Sequence, residues 1–376
     1  MRKSLSLYFH VPFCARKCAY CDFASWSGRE GDWRRYFEAL ENELEDWSEI
    51  TDFGRLSDHY CVQTAFIGGG TPTLAPAEAI RTITDQSRLL FPFAEDAEIT
   101  IEGNPGTLTP EKLAIYRSAG INRLSLGAQS FDDGLLKRLG RIHDAQQIGE
   151  AVRMARDAGF ENINLDLMYA LPGQTMDQWI DTLNAATALG VEHISAYSLI
   201  VEEGTPMAAR VAKGEAVLPD EDAVNAMQRA AIDLLARAGY GRYEISNYAK
   251  PGFECRHNRV YWRRGDYLGL GCAAHSMLQN CRFHNPEDLD DYLAGGRRLD
   301  RQRLDASDIL EETVMLGTRT TQGIDFGLFS GADPARLKRL IQADLIAIEN
   351  GFLRLTRGGL EVQDAVVLEL LEVLGC

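Results

Sequence analysis

The chain is 376 residues long, room for two or three domains at roughly 150 residues each. Its 45% hydrophobic and 25% charged residues make an ordinary globular balance, which excludes long disorder, collagen and coiled coil as the main theme. A formal net charge of −16 repels phosphate backbones and anionic lipid, so no nucleic-acid partner is expected, although a local basic pocket is compatible with it.

The amino-terminal stretch MRKSLSLYFHVPFC has two basic residues but no long apolar run and no small-residue cleavage site, so it does not read as a secretory signal. No segment approaches the ~20 apolar residues of a transmembrane helix, and a cytoplasmic location is the simplest expectation. Six short apolar, β-branched or aromatic runs then read as strands: residues 5–11, 64–69, 98–104, 123–130, 163–171 and 193–200. Between them lie stretches with helical spacing, near 33–49, 76–91, 109–119, 144–158 and 176–189. Pro76, and Thr109-Pro110 followed by Glu111, are plausible helix starts. Strand–helix alternation predicts right-handed crossovers and a parallel α/β sheet. Six units fit an open, partial barrel or a doubly wound sheet.

The pattern changes after about residue 205. A helix is predicted over 220–238, and residues 241–300 read as irregular, rich in Gly, Arg, Asn and aromatic residues. A helical run starts at 306. The tail, 333–376, reads as helix, a short hairpin over GFLRLTRGGLEV (351–362) and helix, a winged-helix-like module without an evident basic recognition helix. The expected division is 1–205, 206–305 and 306–376.

Chemistry concentrates in CARKCAYC, where Cys14, Cys18 and Cys21 lie within eight residues. In a reducing compartment such a cluster reads as metal ligation rather than disulfides. Three thiolates can hold three corners of a cubane iron–sulfur cluster and leave the fourth iron open to an external ligand. A zinc site completed by His10 is the competing reading. The loop follows the first strand, at the end of the sheet where parallel α/β folds place their chemistry. Gly68 to Thr73, GGGTPT, follows the second strand; its glycines permit close backbone approach to a ligand, or simply a tight turn. Glu102, Gln129 and Asp166 lie at or near the ends of the next three strands, and Arg141 follows. Each alone could be a satisfied core polar group. Three on successive strands favour a shared polar ligand, because burying such groups without partners is costly.

Together these motifs closely resemble the radical S-adenosylmethionine superfamily from Tyr8 through the sixth strand. The resemblance implies a partial (β/α)6 TIM-like barrel, with a mainly helical carboxyl-terminal domain. It implies a 4Fe–4S cluster on Cys14, Cys18 and Cys21, with S-adenosyl-L-methionine chelating the open iron. Tyr8, Tyr20, Gly69, Gly70, Thr71, Glu102, Gln129, Arg141, Asp166 and Ile200 fall at the superfamily's cofactor-contact positions. Glycine carbonyls suit an ammonium group and Arg141 a carboxylate.

Within the superfamily, YFHVPFC, GGGTP, EGNP, LGAQSF and DLMYALPGQT resemble the branch that holds coproporphyrinogen dehydrogenases and HemW heme chaperones. The dehydrogenases carry a further cysteine two residues after the third; here that position is Phe23. HNRVYW, with His257, Tyr261 and Trp262, and GLGCAAHS, residues 269–276, are similar to the HemW group. That resemblance implies heme as ligand, recipient hemoproteins such as respiratory enzymes, an electron donor to the cluster, and a homodimer as one allowed assembly. It implies a radical SAM scaffold without porphyrinogen decarboxylation; the alternative is an oxygen-independent coproporphyrinogen III dehydrogenase. His257, Tyr261 and Trp262 mark the candidate heme region, with His10, His275 and Cys255 as rival axial donors to His257.

Overall fold

The structure, a computed structural model, describes residues 2–49, 51–331 and 333–375. Six parallel strands follow one another in space as in sequence: β1 (Lys3–Val11), β2 (Tyr60–Gly69), β3 (Phe93–Gly103), β4 (Arg123–Gln129), β5 (Asn162–Tyr169) and β6 (His193–Ser198). One face of every strand is aliphatic and fully buried, Leu5, Leu7, Ile67, Ile101, Leu124, Leu165 and Ile194 among them; the alternate positions, such as Thr100, Arg123, Ser125, Asn164 and Ser195, are polar and buried as well, so the sheet is covered on both faces. Helices Trp33–Ser48, Ala77–Leu90, Pro110–Ser118, Ala145–Asp157 and Met176–Ala188 form the crossovers. The last two begin with capping boxes, Asp144 with Gln147 and Thr175 with Gln178, each satisfying otherwise orphaned amide donors. A further helix, Asp133–Leu139, has no counterpart in the sequence reading. The architecture is the open, partial barrel.

Residues 241–300 are not irregular. β7 (Gly241–Arg242) and β8 (Asn247–Ala249) extend the sheet antiparallel beyond β6. β9 (Tyr267–Leu270) pairs parallel with β1, and β10 (His275–Leu278), β11 (Cys281–His284) and β12 (Leu299–Arg303) continue antiparallel from it. These strands escape a periodicity search because they are two to five residues long and β12 is exposed throughout. The β10–β11 turn, Gln279-Asn280, has both φ values positive, 51° and 58°, the geometry that matches the twist of a two-residue hairpin. The sheet ends at β7 and β12 without closing.

The carboxyl-terminal segment has its own apolar cluster, including Val314, Leu337, Ile346, Leu353 and Leu370. Helices Ala306–Gly317, Pro334–Gln342 and Gln363–Leu374 pack around a small sheet of β13 (Ile324–Asp325), β14 (Ile346–Glu349) and β15 (Phe352–Leu355). The order helix, hairpin, helix agrees with the sequence reading, but the hairpin runs Ile346–Leu355 rather than over 351–362, and Arg357–Glu361 is a short helix.

A buried carboxylate ties the β9–β12 extension to the first crossover helix. Glu43, 1% exposed, accepts from the Gly271 amide (2.9 Å), Asn285 Nδ2 (2.6 Å) and the Tyr292 hydroxyl (2.8 Å), with Arg297 at 3.8 Å. Removing one member of such a network strands the others in the interior. Glu43→Ala is therefore expected to destabilise the protein by about 3–5 kcal/mol, and Glu43→Gln by less, since its amide oxygen can still accept. Urea unfolding of both variants measures the difference; equal losses would contradict the hydrogen-bond account.

Candidate cofactor site at the carboxyl end of the sheet

A cavity of about 350 Å³ opens at the carboxyl end of the sheet and takes lining residues from β2–β6 themselves and from the segments that follow β1–β4. The loop after β1 contributes Cys14, Cys18, Tyr20 and Cys21. Its base is pinned: the Cys14 amide donates to Trp26 O (2.9 Å) and the Trp26 amide to Pro12 O (2.7 Å). Farther along, the Ala19 amide donates to Leu139 O (3.2 Å) and Ala19 O accepts from the Met207 amide (2.8 Å). Burial pushes the Cys14 and Cys21 thiols up, while Thr71 and Ser25 favour the Cys14 thiolate and the Phe23 backbone that of Cys21. Thr71 Oγ1 lies 3.7 Å from Cys14 Sγ, and Arg141 Nη1 lies 3.5 Å from Cys18 Sγ. Among the described residues no three His, Cys, Asp or Glu side chains converge on the position of a single metal ion. The three sulfurs share a cavity wall instead, which suits a multi-iron group better than mononuclear zinc with His10. Both ring nitrogens of His10 are engaged, by the Tyr8 hydroxyl (3.0 Å) and Ala24 O (2.8 Å).

The glycines following β2 make a backbone wall. A Cβ on Gly70 would lie 2.7 Å from Phe13 O, and one on Gly69, whose φ is +109°, would lie 2.6 Å from the His10 ring. The Gly69 amide donates to Glu102 Oε2 at 3.1 Å. Glu102 is pushed up to about 8 by burial first and by the nearby Asp166 second, against the opposing pull of Gly69 and Arg123. Asp166 is also raised by burial, although Asn164 Nδ2 (2.8 Å) and Ser125 Oγ (3.2 Å) donate to it. Two buried carboxyl groups at one mouth form a place for an ammonium or hydroxyl donor. Opposite them, Arg141 Nη2 donates to Gly127 O at 2.6 Å, while its buried Nε has no partner among the described residues. That orphaned donor fits a ligand carboxylate. Gln129, at φ 65°, lines the same wall. The donor set thus fits a thiolate-held cluster together with an amino-acid-bearing ligand.

Of the residues singled out in the sequence, Cys14, Cys18, Tyr20, Cys21, Gly69, Gly70, Thr71, Glu102, Gln129, Arg141 and Asp166 line this cavity. Tyr8 does not; it lines a neighbouring cavity with His10, two residues on along one face of β1. Ile200 does not either. It lies beyond the end of β6 and is 69% exposed, whereas Tyr197 on β6 reaches the lining. The HNRVYW residues disperse. His257 is 1% exposed, with Nδ1 2.8 Å from Thr64 Oγ1 and Nε2 2.9 Å from the Tyr261 hydroxyl. Burial and Arg123 push its imidazole down to about 3. Both of its ring nitrogens are engaged in this geometry. Tyr261 lines the cavity that holds Tyr8, and Trp262 lines a separate one of about 790 Å³ with four arginines, Arg242, Arg259, Arg263 and Arg264.

Sequence reasoning missed Arg123, which is 2% exposed beneath the acidic pair. Burial opposes its charge, but Cys255, Glu98, Tyr243 and Asp166 around it more than offset that and hold the guanidinium above its ordinary value. An arginine opening the apolar run RLSLGAQ was the available clue, since charge at the start of a buried strand demands partners.

The open barrel and three-thiol loop define the class: this is a radical SAM protein. The radical SAM superfamily model matches residues 8–186, and the HemN C-terminal domain model matches residues 304–362. The fold is similar to that of coproporphyrinogen III oxidase (HemN) from Escherichia coli, a radical SAM enzyme, with a TM-score of 0.83 over 98% of this chain and 90% of that one at 24% identity. The heme chaperone HemW of Escherichia coli is 44% identical over 73% of this chain and 70% of its own length. The HemW proteins of Haemophilus influenzae and Bacillus subtilis are 37% and 36% identical over 93% and 94% of this chain, covering 91% and 96% of their own lengths. The chain belongs to the HemW family.

The Glu102 carboxyl gives the site a pH signature. Its folded value of about 8 exceeds its ordinary 4.5, so folding holds a proton that the unfolded chain releases in between. The resulting stabilisation is complete below about pH 4.5 and is lost as pH rises through about 8. Glu102→Gln, without S-adenosylmethionine present, is expected to gain on the wild type between about pH 5 and about pH 8, by on the order of 3 kcal/mol. Urea unfolding across that range checks it; a stability difference constant with pH would mean the carboxyl is ionised throughout.

Proposed function

We propose that this chain is a heme chaperone: it binds heme, a 4Fe–4S cluster and S-adenosyl-L-methionine and delivers heme to hemoproteins, respiratory enzymes among them. The observation that carries this reading is its membership of a family whose members are named heme chaperones, at 36–44% identity. Phe23 adds to it. This side chain is 61% exposed and lines the cluster cavity, at the position where the dehydrogenases have another thiol. An apolar ring there cannot ligate iron or carry a proton.

Cys14, Cys18 and Cys21 would hold the cluster, and Glu102, Asp166, Gly69, Gly70, Gln129 and Arg141 the S-adenosylmethionine. Such a cluster supplies one-electron chemistry and an anchoring iron for the ligand's amino and carboxylate groups. The protein's residues position: Arg141 pairs with a carboxylate, the glycine backbone admits an amine, and the buried acids exclude a second anion. Residues 206–305 carry the heme side of the molecule in this reading, and the amino-terminal barrel, 1–205, the cluster side, with 306–376 as a separate terminal module. The location is the cytoplasm, in keeping with seven unpaired cysteines among the described residues and with the absence there of any helix long and apolar enough to cross a membrane.

Anaerobically reconstituted protein is expected to give a stoichiometric Soret shift with heme and to transfer heme to an apo-hemoprotein, without converting coproporphyrinogen to protoporphyrinogen. Robust turnover would overturn the chaperone reading in favour of the dehydrogenase. Cys18→Ala should lose the broad visible absorption of the cluster, together with bound iron and sulfide; retention of both at the wild-type ratio would remove Cys18 from the ligand set.

A further inference from the structure

Heme requires an apolar slot and, in most proteins, an axial donor. The chain has seven histidines, and five have both ring nitrogens hydrogen-bonded. His10 and His257 are two of these. His143 meets Asn104 Oδ1 (3.1 Å) and Ala128 O (3.2 Å), His193 meets Asn164 Oδ1 (2.6 Å) and the Tyr243 hydroxyl (2.8 Å), and His284 meets Asn285 O (2.8 Å) and Asp300 Oδ2 (3.2 Å). Only His59 and His275 have no hydrogen-bond partner among the described residues. His59 faces a recess of about 450 Å³ in which four polar or charged residues, Arg2, Lys3, Asp58 and Gln279, outnumber the two rings of Phe53 and Tyr60.

His275 stands elsewhere. It opens β10, exposed, on a cavity of about 580 Å³ whose lining includes five aromatic rings, Tyr8, Phe23, Trp26, Tyr261 and Tyr267. Its ring stacks on His284, with centroids 5.0 Å apart at 23°, and His284 is itself held by Asn285 and Asp300. Stacking holds the plane of the imidazole, and among the described residues both of its ring nitrogens are without the hydrogen bond that ligating histidines usually carry on the second nitrogen. Burial first, and the neighbouring His284 second, hold His275 below its ordinary value, in the neutral form that binds metal. Lys17 offers a cation for a propionate, whereas Asp22 and Glu287 make the rest of the polar rim unsuited to one. Lys17, Phe23 and Ser25 line both this cavity and the cluster cavity, so the loop that carries the thiols is also the wall between them.

We propose that heme, on the heme-chaperone reading above, is taken up in this second cavity with His275 as its axial ligand, against the outer wall of the cluster loop. The Tyr261 ring is part of the slot, and His257, hydrogen-bonded to the Tyr261 hydroxyl, is a positioning residue behind it.

The test titrates ferric heme into the full-length, cluster-loaded protein, and follows the Soret band and the electron paramagnetic resonance signature of an imidazole-bound iron. His275→Gly is expected to weaken heme binding by at least ~10-fold and lose the imidazole signature, with cluster iron and sulfide unchanged; added free imidazole should restore the spectrum. His59→Ala should match the wild type. A His275→Gly protein with wild-type affinity and spectrum, or one not restored by imidazole, would overturn the assignment while leaving the chaperone reading intact. A wild type that binds no heme at all would sink the chaperone reading itself, and this site with it.

Discussion

The contact on which the rest of the molecule depends is between two stretches of backbone. After β2, the Gly70 amide donates to Val11 O at 2.9 Å and the Thr71 amide to Phe13 O at 2.8 Å, continuing the β1–β2 pairing past the end of both strands. The approach is too close for a side chain: a Cβ on Gly70 would meet three backbone atoms of Phe13 within about 3 Å. This seam fixes where the chain leaves β1, and therefore where Cys14 begins the thiol loop. It also brings Thr71 beside the Cys14 sulfur. Because Gly69 is bound on its other side to Glu102, the same seam couples the thiols to the acidic pair across three neighbouring strands.

Beneath the seam lies a layer of buried charge. Arg123, Glu98, Glu102 and Asp166 occupy β3, β4 and β5, where an isolated ion would be prohibitive. Arg123 is the shared counter-charge. It opposes the upward shift of both Glu102 and Asp166 and, after burial, is the second reason that His193 and His257 are held neutral. Neutral histidines can be bonded at both nitrogens by groups such as Thr64, Tyr261, Asn164 and Tyr243, and these bonds tie β2, β5 and β6 to the segments that come after the barrel. Glu98 extends the link: its carboxylate accepts from the backbone amides of Arg256 (3.1 Å) and His257 (3.0 Å), at the start of the helix Arg256–Trp262. An anion at that position satisfies amides that the helix cannot. The HNRVYW segment is thus docked onto the barrel by barrel charges.

These two features explain how much was legible in the sequence. The six parallel strands and five of their crossover helices were readable because each is long enough to show its apolar period, and the thiols and glycines were readable because their spacing is local. Cavity residues found at strand ends, Glu102, Gln129 and Asp166, followed from the rule that parallel sheets present chemistry at that edge. The features that escaped were non-local. The β9–β12 extension pairs with β1 across more than 250 residues of sequence in strands too short to show a period. Arg123 looks like any surface arginine until Glu98 and Asp166 are seen beside it. Ile200 was expected to pack in the cavity, yet Tyr197 does so, because the chain leaves the sheet after Ser198 and the alternation that would aim a side chain inward ends there.

The HNRVYW box shows why a motif cannot be read as a ligand set from its composition alone. On a seven-residue helix its histidine, tyrosine and tryptophan point to different places: into the barrel, into the aromatic cavity and toward the arginine-lined cleft beside the carboxyl-terminal segment. Its histidine carries the most chemical promise in isolation and is the least available, since burial demanded that both nitrogens be bonded. Among the described residues the packing leaves two histidine rings unpaired, those of His59 and His275. His275 is placed at the second cavity by the parallel pairing of β9 with β1 and by the tight return from β9 into β10, where a Cβ on Gly269 would lie only 2.2 Å from His275 O. The glycine that permits this return is as necessary to the second cavity as Gly70 is to the first. Both cavities therefore flank β1, one formed by the loop beyond its carboxyl end and the other by the strand paired along its edge, with the thiol loop as their common wall.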